Sequence, residues 1–234
     1  MLGSIREKLK FDMTENHYKL EIYFKNLRFI TMFDKKVYQN RRNKLRDNIH
    51  SGGILLFPGN NESAMNYSAN TYHFRQDSSF LYFFGLDQSN IAGVIDLDEN
   101  KEILFGDNLT IDDIIWMGDQ PTMNEQASRV GISETLPFNK LYEYIQNAIT
   151  GGRKVHLLPP YRGDHYIFLA ELFKIGHKEV DQFVSEEFIK AVVALREIKD
   201  DHEIQQIELA VDTAYKMHTT VMKMAFPGTW EREI

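Results

Sequence analysis

Cysteine is absent from all 234 residues. That excludes disulfides, thiolate zinc sites and a cysteine nucleophile, and it suits a reducing compartment. Proline is scarce at six residues, and neither a low-complexity tract nor an internal repeat appears. No apolar run approaches the roughly 20 residues of a membrane span, so no membrane partner is expected. Positive charge is also short: 27 Lys and Arg against 34 Asp and Glu leave a net charge of -7. Without a basic stripe to displace counterions, nucleic acid is not expected as a partner. The local cluster Lys35, Lys36, Arg41, Arg42, Lys44 and Arg46 reads as the solvated face of a helix. The N-terminal stretch MLGSIREKLKFDMTENHYKL places charges where a signal peptide needs an apolar segment, so a cytoplasmic location is expected.

Hydrophobic residues make up 43% of the chain, enough for a sizeable core. Residues 1–31 are charged and weakly periodic, and read as an extension outside that core. From Met32, FDKKVYQNRRNKLRDNI predicts a helix with Val37, Leu45 and Ile49 near one face. Ser51-Gly52-Gly53 ends it, and ILLF at 54–57 reads as a buried strand stopped by Pro58-Gly59. IAGVIDL (91–97) and KEILFGD (101–107), joined by Asp98-Glu99-Asn100, predict a hairpin. VHLLPP (155–160) is another strand. TMNEQASRVGI and FNKLYEYIQNAI read as helices opened by polar caps, and DHYIFLAELFKIG and SEEFIKAVVAL are helical as well. Strands mixed with helices, plus a hairpin, predict an α/β fold with a mixed sheet.

The last forty or so residues differ. Asp200 and Glu203 form a capping-box pattern ahead of Ile204, Ile207, Val211, Ala214, Met217 and Val221 at helical spacing. The pattern lasts about 25 residues, roughly 37 Å of helix. Pro227-Gly228 breaks it, and Thr229 reads as the N-cap of a further helix with Glu231 in its first turn. The sequence therefore reads as truncated just inside a following domain. The expected division is 1–31 extension, 32–196 first domain, 197–234 start of the second.

The stretch Tyr72–Leu86, YHFRQDSSFLYFFGL, holds six aromatic rings in fifteen residues. Asp77 or Ser78 can cap a short helix over Phe80–Phe84, and Gly85 can close it in a left-handed conformation. Phe80 and Phe84 then bury together, while Arg75 can clamp the loop through a carboxylate or loop carbonyls. On residue types alone this is a packed aromatic corner.

Residues 74–85 also resemble the F-R-Q-x-S-x-F-x-Y-x-x-G motif of the N-terminal domain of Xaa-Pro aminopeptidase (aminopeptidase P). Trp116-Met117-Gly118 is similar to the family's W-x-G. Arg196, Lys199, Glu203, Ile204, Ile207 and Ala210 match its R-x-x-K-x-x-x-E-I-x-x-I-x-x-A junction, and Pro227-Gly228 resembles the PG before the second catalytic helix. The resemblance spans about 32–234. It implies a mixed sheet flanked by helices, followed by the first long helix of a pita-bread catalytic domain. Intact members use two divalent metal ions, commonly manganese, held by that second domain. There a bridging hydroxide cleaves the bond between an N-terminal residue and proline.

By the same resemblance, the N-terminal domain shapes the substrate mouth and mediates self-association, so a peptide with proline second and a further copy of the chain are the implied partners. Arg75, Gln76, Ser78, Phe80, Leu81, Tyr82 and Trp116 are the motif residues placed near that mouth, with no catalytic residue and no metal ligand in this chain. Two departures stand out. Leu81 sits where many relatives carry a bulky aromatic, and Asp119-Gln120-Pro121 follows the W-x-G where some carry arginine. The alternatives are a prolidase-like protein and a non-catalytic binding protein of the same superfamily. A Ser/His/Asp site from His73, Asp77 and Ser78 lacks a G-x-S-x-G elbow, and Gly151-Gly152-Arg153-Lys154 lacks the P-loop pattern.

Overall fold

The computed structural model describes residues 32–234, and the extension expected over 1–31 lies outside them. The described residues through Val192 form one compact unit and Val193–Ile234 a second. In the first unit, α1 (Lys35–Asp47) buries Val37, Leu45 and, just past its end, Ile49, as the spacing predicts. Next come β1 (Ile54–Pro58), a small antiparallel pair β2 (Ala64–Tyr67) and β3 (Asn70–Thr71), and helix α2 (Ser78–Phe84). The hairpin is β4 (Ala92–Asp96) and β5 (Lys101–Phe105), followed by α3 (Ile111–Met117), α4 (Met123–Arg129), β6 (Glu134–Leu136) and α5 (Lys140–Thr150). The two-residue strand β7 (Val155–His156), α6 (Gly163–Phe173), a 3-10 turn (His177–Phe183) and α7 (Glu186–Arg196) follow.

The five-stranded sheet runs in the order β6-β5-β4-β1-β7. β1 pairs antiparallel with β4, and β4 with β5, while both outer strands pair parallel. The sheet is thus mixed, as expected. Side chains alternate across it. Ile54 and Leu56 join Val94, Ile103 and Phe105 in a core closed by Leu141 and Ile145 of α5 and Leu169 and Phe173 of α6. On the opposite face, the Phe57 ring lies 5.2 and 5.3 Å from Phe83 and Phe84 and 5.1 Å from Phe188 of α7. Gly93 makes room there, because a Cβ at that position would stand 2.3 Å from the Phe84 ring.

Three local expectations change. Arg41 and Arg42 do not face solvent but are 4% and 0% exposed, because both donate to backbone carbonyls at the end of α2. Thr122 caps α4 in a full capping box. Asn139 makes no side-chain capping bond before α5, because its own backbone is already helical at φ −63°, ψ −21°. Third, the turn after Pro227-Gly228 is a short 3-10 segment, Glu231–Glu233. It is capped at Trp230 rather than Thr229 because Glu233 reaches back three residues to the Trp230 N–H.

In the second unit, α8 (Asp201–Met224) runs 24 residues and starts at the expected box, Glu203 N–H donating to Asp200 Oδ1 at 2.8 Å. None of its residues is buried, and Ile204, Ile207, Val211, Met217 and Val221 are exposed. No helix among the described residues is long and apolar enough to cross a membrane.

Candidate functional site

The aromatic stretch is a short helix entered through a pinned loop. Asp77 accepts from Ser79 N–H at 2.9 Å and Phe80 N–H at 2.8 Å, which satisfies two of the four orphan donors of the first turn. Gly85 ends α2 at φ +65°. It must be glycine for a second reason: a Cβ would lie 2.2 Å from the Tyr38 ring. Phe80, Phe83 and Phe84 are fully buried, with Phe80 stacked on Phe84 at 5.0 Å between centroids.

The last carbonyls of α2 need donors, and α1 supplies them. Arg41 Nη1 donates to Tyr82 O at 3.1 Å, its guanidinium lying 3.9 Å over the Tyr82 ring. Arg42 donates to Phe83 O at 2.8 Å and Val130 O at 2.9 Å. Its Nε lies 2.9 Å from Glu102 Oε2, an ion pair rather than an aligned hydrogen bond. Cations at a helix C-terminus also suit its dipole. Two members of a basic cluster that reads as wet surface, Arg41 and Arg42, therefore cap α2, while Lys35, Lys36 and Lys44 are exposed as expected.

The loop clamp is Gln76, not Arg75. Gln76 is 2% exposed. Its Oε1 accepts from Asn60 N–H at 2.6 Å and Asp77 N–H at 3.0 Å, and its Nε2 donates to Gln88 O at 2.6 Å. Asn60 answers from the other strand end, its Nδ2 donating to Arg75 O at 2.8 Å. The Arg75 side chain is exposed and makes no hydrogen bond or ion pair among the described residues. A neutral amide can donate and accept at once, whereas a guanidinium only donates. The amide is what the mixed set of loop groups requires. Asn60 was missed by sequence reasoning, although an Asn pair directly after a strand-ending Pro-Gly is a turn signal.

The remaining motif residues divide by depth. Ser78 is exposed and Leu81 and Tyr82 are half-buried. Trp116 is 86% exposed on α3, beside Ile115 and Ile111. That helix was not expected from sequence, yet Thr110 and Asp113 carry its capping box in plain view. Gln88, whose carbonyl Gln76 holds, lines a cavity of about 540 Å³ together with Glu62, Asp107, Asp113 and Gln120. None of the motif residues lines it.

Other candidates are accounted for structurally. Asp77 caps α2, and Ser78 and His73 are exposed. Arg153 pairs with Asp96 and Asp98 across the hairpin end. His165, 4% exposed, donates from Nε2 to Gly59 O at 3.2 Å. Burial pushes its pKa down, against an opposing pull from Asp164. Among the described residues, no group of three or more His, Asp or Glu gathers to hold a metal ion, so these residues do not fit the metal pair that the resemblance implies.

The sequence matches the family described as aminopeptidase P, N-terminal domain, over residues 38–157. A "Probable Xaa-Pro aminopeptidase" of Ajellomyces dermatitidis is 26% identical over 207 residues, covering 87% of this chain and 39% of that protein. A counterpart from Metarhizium robertsii is 24% identical over 187 residues, 79% of this chain and 38% of the relative. The fold is similar to Escherichia coli aminopeptidase P in its low-pH form (TM-score 0.69, 20% identity, 86% of this chain, 47% of that one). It is also similar to the Pseudomonas aeruginosa aminopeptidase PepP (TM-score 0.71, 18% identity, 87% and 48%). At that identity the structural likeness speaks for the fold alone. The chain spans about two fifths of the curated relatives' length.

Proposed function

Because this chain belongs to the aminopeptidase P N-terminal domain family, we propose that it is the N-terminal portion of a Xaa-Pro aminopeptidase. Such an enzyme removes the first residue from peptides with proline second. The observation that carries the reading is the family match over 38–157, which contains the whole Tyr72–Leu86 stretch and the Trp116 helix. In this reading two divalent metal ions, manganese by family resemblance, are held by residues beyond those described. The contribution of this portion is steric and orienting. The Gln76–Asn60 clamp fixes the loop, the buried rings of α2 make it rigid, and Arg75, Leu81, Tyr82 and the exposed Trp116 present surface to the peptide. A rigid positioning shell is what proximity effects require of residues that do no chemistry. The reading also places residues 32–196 in a first domain and 197–234 at the start of a catalytic one, in a cytoplasmic homo-oligomer.

Its test is a paired assay with a tripeptide carrying proline second, in the presence of manganese. The purified 234-residue chain should show no turnover, and the longer native polypeptide containing it should. Turnover that follows the 234-residue chain through repurification would overturn this division of labour.

A further inference from the structure

Arg75 differs from the other arginines of the first unit. Arg41, Arg42, Arg46, Arg153 and Arg162 each hold a backbone carbonyl, a carboxylate or both. The Arg75 side chain is exposed and makes no hydrogen bond, ion pair or ring contact among the described residues. Its backbone, by contrast, is fixed. Asn60 Nδ2 donates to Arg75 O at 2.8 Å, and the next residue, Gln76, is 2% exposed. A pinned loop therefore carries an unneutralised charge that the fold does not use.

The surroundings of Arg75 are built on one segment, residues 60–63. The Asn60 Nδ2 that holds the Arg75 carbonyl also lies 3.4 Å from the Tyr161 hydroxyl, and Tyr161 is 66% exposed. Ser63 O accepts from Tyr72 N–H at 2.9 Å, and Tyr72 is 59% exposed. Two open tyrosine rings and a free guanidinium thus share a scaffold. Arg162 stiffens it, donating to Asn61 O at 3.3 Å and Ser63 Oγ at 2.8 Å. Arg162 is itself paired with Asp164 at 2.9 Å, so it brings no second free cation. Asn60 is 3% exposed, and its Oδ1 has no hydrogen-bond partner. A buried acceptor of this kind calls for a donor.

These features select a ligand. The planar fork of a guanidinium matches a carboxylate bidentately. One free cation balances the single charge of a carboxylate, whereas a phosphate group carries about −1.5 to −2 at neutral pH. The last residue of a peptide joins a carboxylate to an N–H donor and to a side chain that the tyrosine rings can cover. We propose that Arg75 binds the C-terminal carboxylate of a peptide, with the N–H of the same residue toward Asn60 and its side chain along Tyr161 and Tyr72. This deepens the peptidase reading and rests on it only for the ligand being a peptide.

The experiment is a titration of the isotopically labelled 234-residue chain, followed through the Arg75 side-chain Nε–H and the backbone amides of 60, 72 and 161. The probes are N-acetyl-Gly-Gly-Phe with a free carboxylate, the same peptide as its C-terminal amide, N-acetyl-Gly-Glu-Gly-amide and inorganic phosphate. The free carboxylate peptide should move these signals at millimolar concentration, and the other three should move them less or not at all. Binding should weaken as salt rises and by up to about fivefold in Arg75→Gln, the range for an exposed charge pair. Arg75→Lys should recover only part of that loss, because an ammonium lacks the fork. The urea midpoint of Arg75→Gln should stay at the wild-type value, since the side chain has no partner in the fold. Silence with the free carboxylate peptide, or equal shifts with its amide, with the glutamate peptide or with phosphate, would overturn the proposal. So would an affinity untouched by Arg75→Gln, or one lost only together with stability. No turnover is measured, so this result and that of the peptidase assay can fail separately.

Discussion

Replacing Gln76 by alanine removes the clamp and leaves three backbone groups to find other partners. The bond from Asn60 N–H is buried, and those with Asp77 N–H and Gln88 O are half-exposed. A buried donor left unsatisfied costs about 1–3 kcal/mol, and a lost half-exposed bond about 0.5–1.5 kcal/mol each. The expected loss is therefore roughly 2–6 kcal/mol, a large share of the 5–15 kcal/mol typical of a domain. Gln76→Glu separates the roles of the two amide ends. A carboxylate still accepts from Asn60 and Asp77, but it cannot donate to Gln88 O and brings a charge beside Asp77. It should therefore be destabilised at neutral pH and partly recover in mild acid, where the protonated form donates again. Urea unfolding of the 234-residue chain measures both. A loss under about 0.5 kcal/mol for Gln76→Ala, the level of ordinary surface sites, would show that the loop is held by something else.

Arg42→Ala strands Phe83 O and Val130 O and leaves Glu102 with Arg46 alone, and should cost about 3–5 kcal/mol. Arg42→Lys should recover only part, since an ammonium cannot bridge three acceptors in a plane, and the two urea midpoints rank them. Phe80→Ala, at a fully buried ring stacked on Phe84, should cost about 3–5 kcal/mol; near-neutrality would instead mark Phe80 as surface. The pKa of His165 is held below the usual range by burial, so the unfolded chain binds its proton first. The stability it allows is full above about pH 6.5, the unfolded value, and is lost as pH falls below it, by at most about 1.4 kcal/mol per pH unit. His165→Gln should flatten that slope between mildly alkaline and mildly acidic buffer, and an unchanged slope would assign it to another group.

Much of the fold is legible because its signals are local. The α1 face, the hairpin 92–105, the Asp77 and Gly85 caps and the Asp200–Glu203 box each rest on residues within one or two turns of each other. What escaped depends on distant pairing. Arg41 and Arg42 look like surface charge until the carbonyls of Tyr82 and Phe83, some 41 positions on, come within reach. Arg75 is the obvious clamp by charge, but the pinned groups include both donors and acceptors, so the neutral Gln76 serves. Helix α3 was the avoidable miss, because its capping box is written in the sequence. β2 is exposed along its length and β3 half-buried, and the pair carries too little apolar alternation to show itself. The cavity beside Gln88 escaped because its wall comes from seven separate stretches of chain between Glu62 and Phe138.

The central claim is tested most directly on the native protein, captured from its source cells with an antibody raised against residues 32–196. The captured polypeptide should release the N-terminal residue from a tripeptide with proline second, lose that activity to a chelator and regain it with manganese. Cleavage confined to Xaa-Pro dipeptides, or no cleavage of any proline peptide by a correctly folded captured protein, would contradict it.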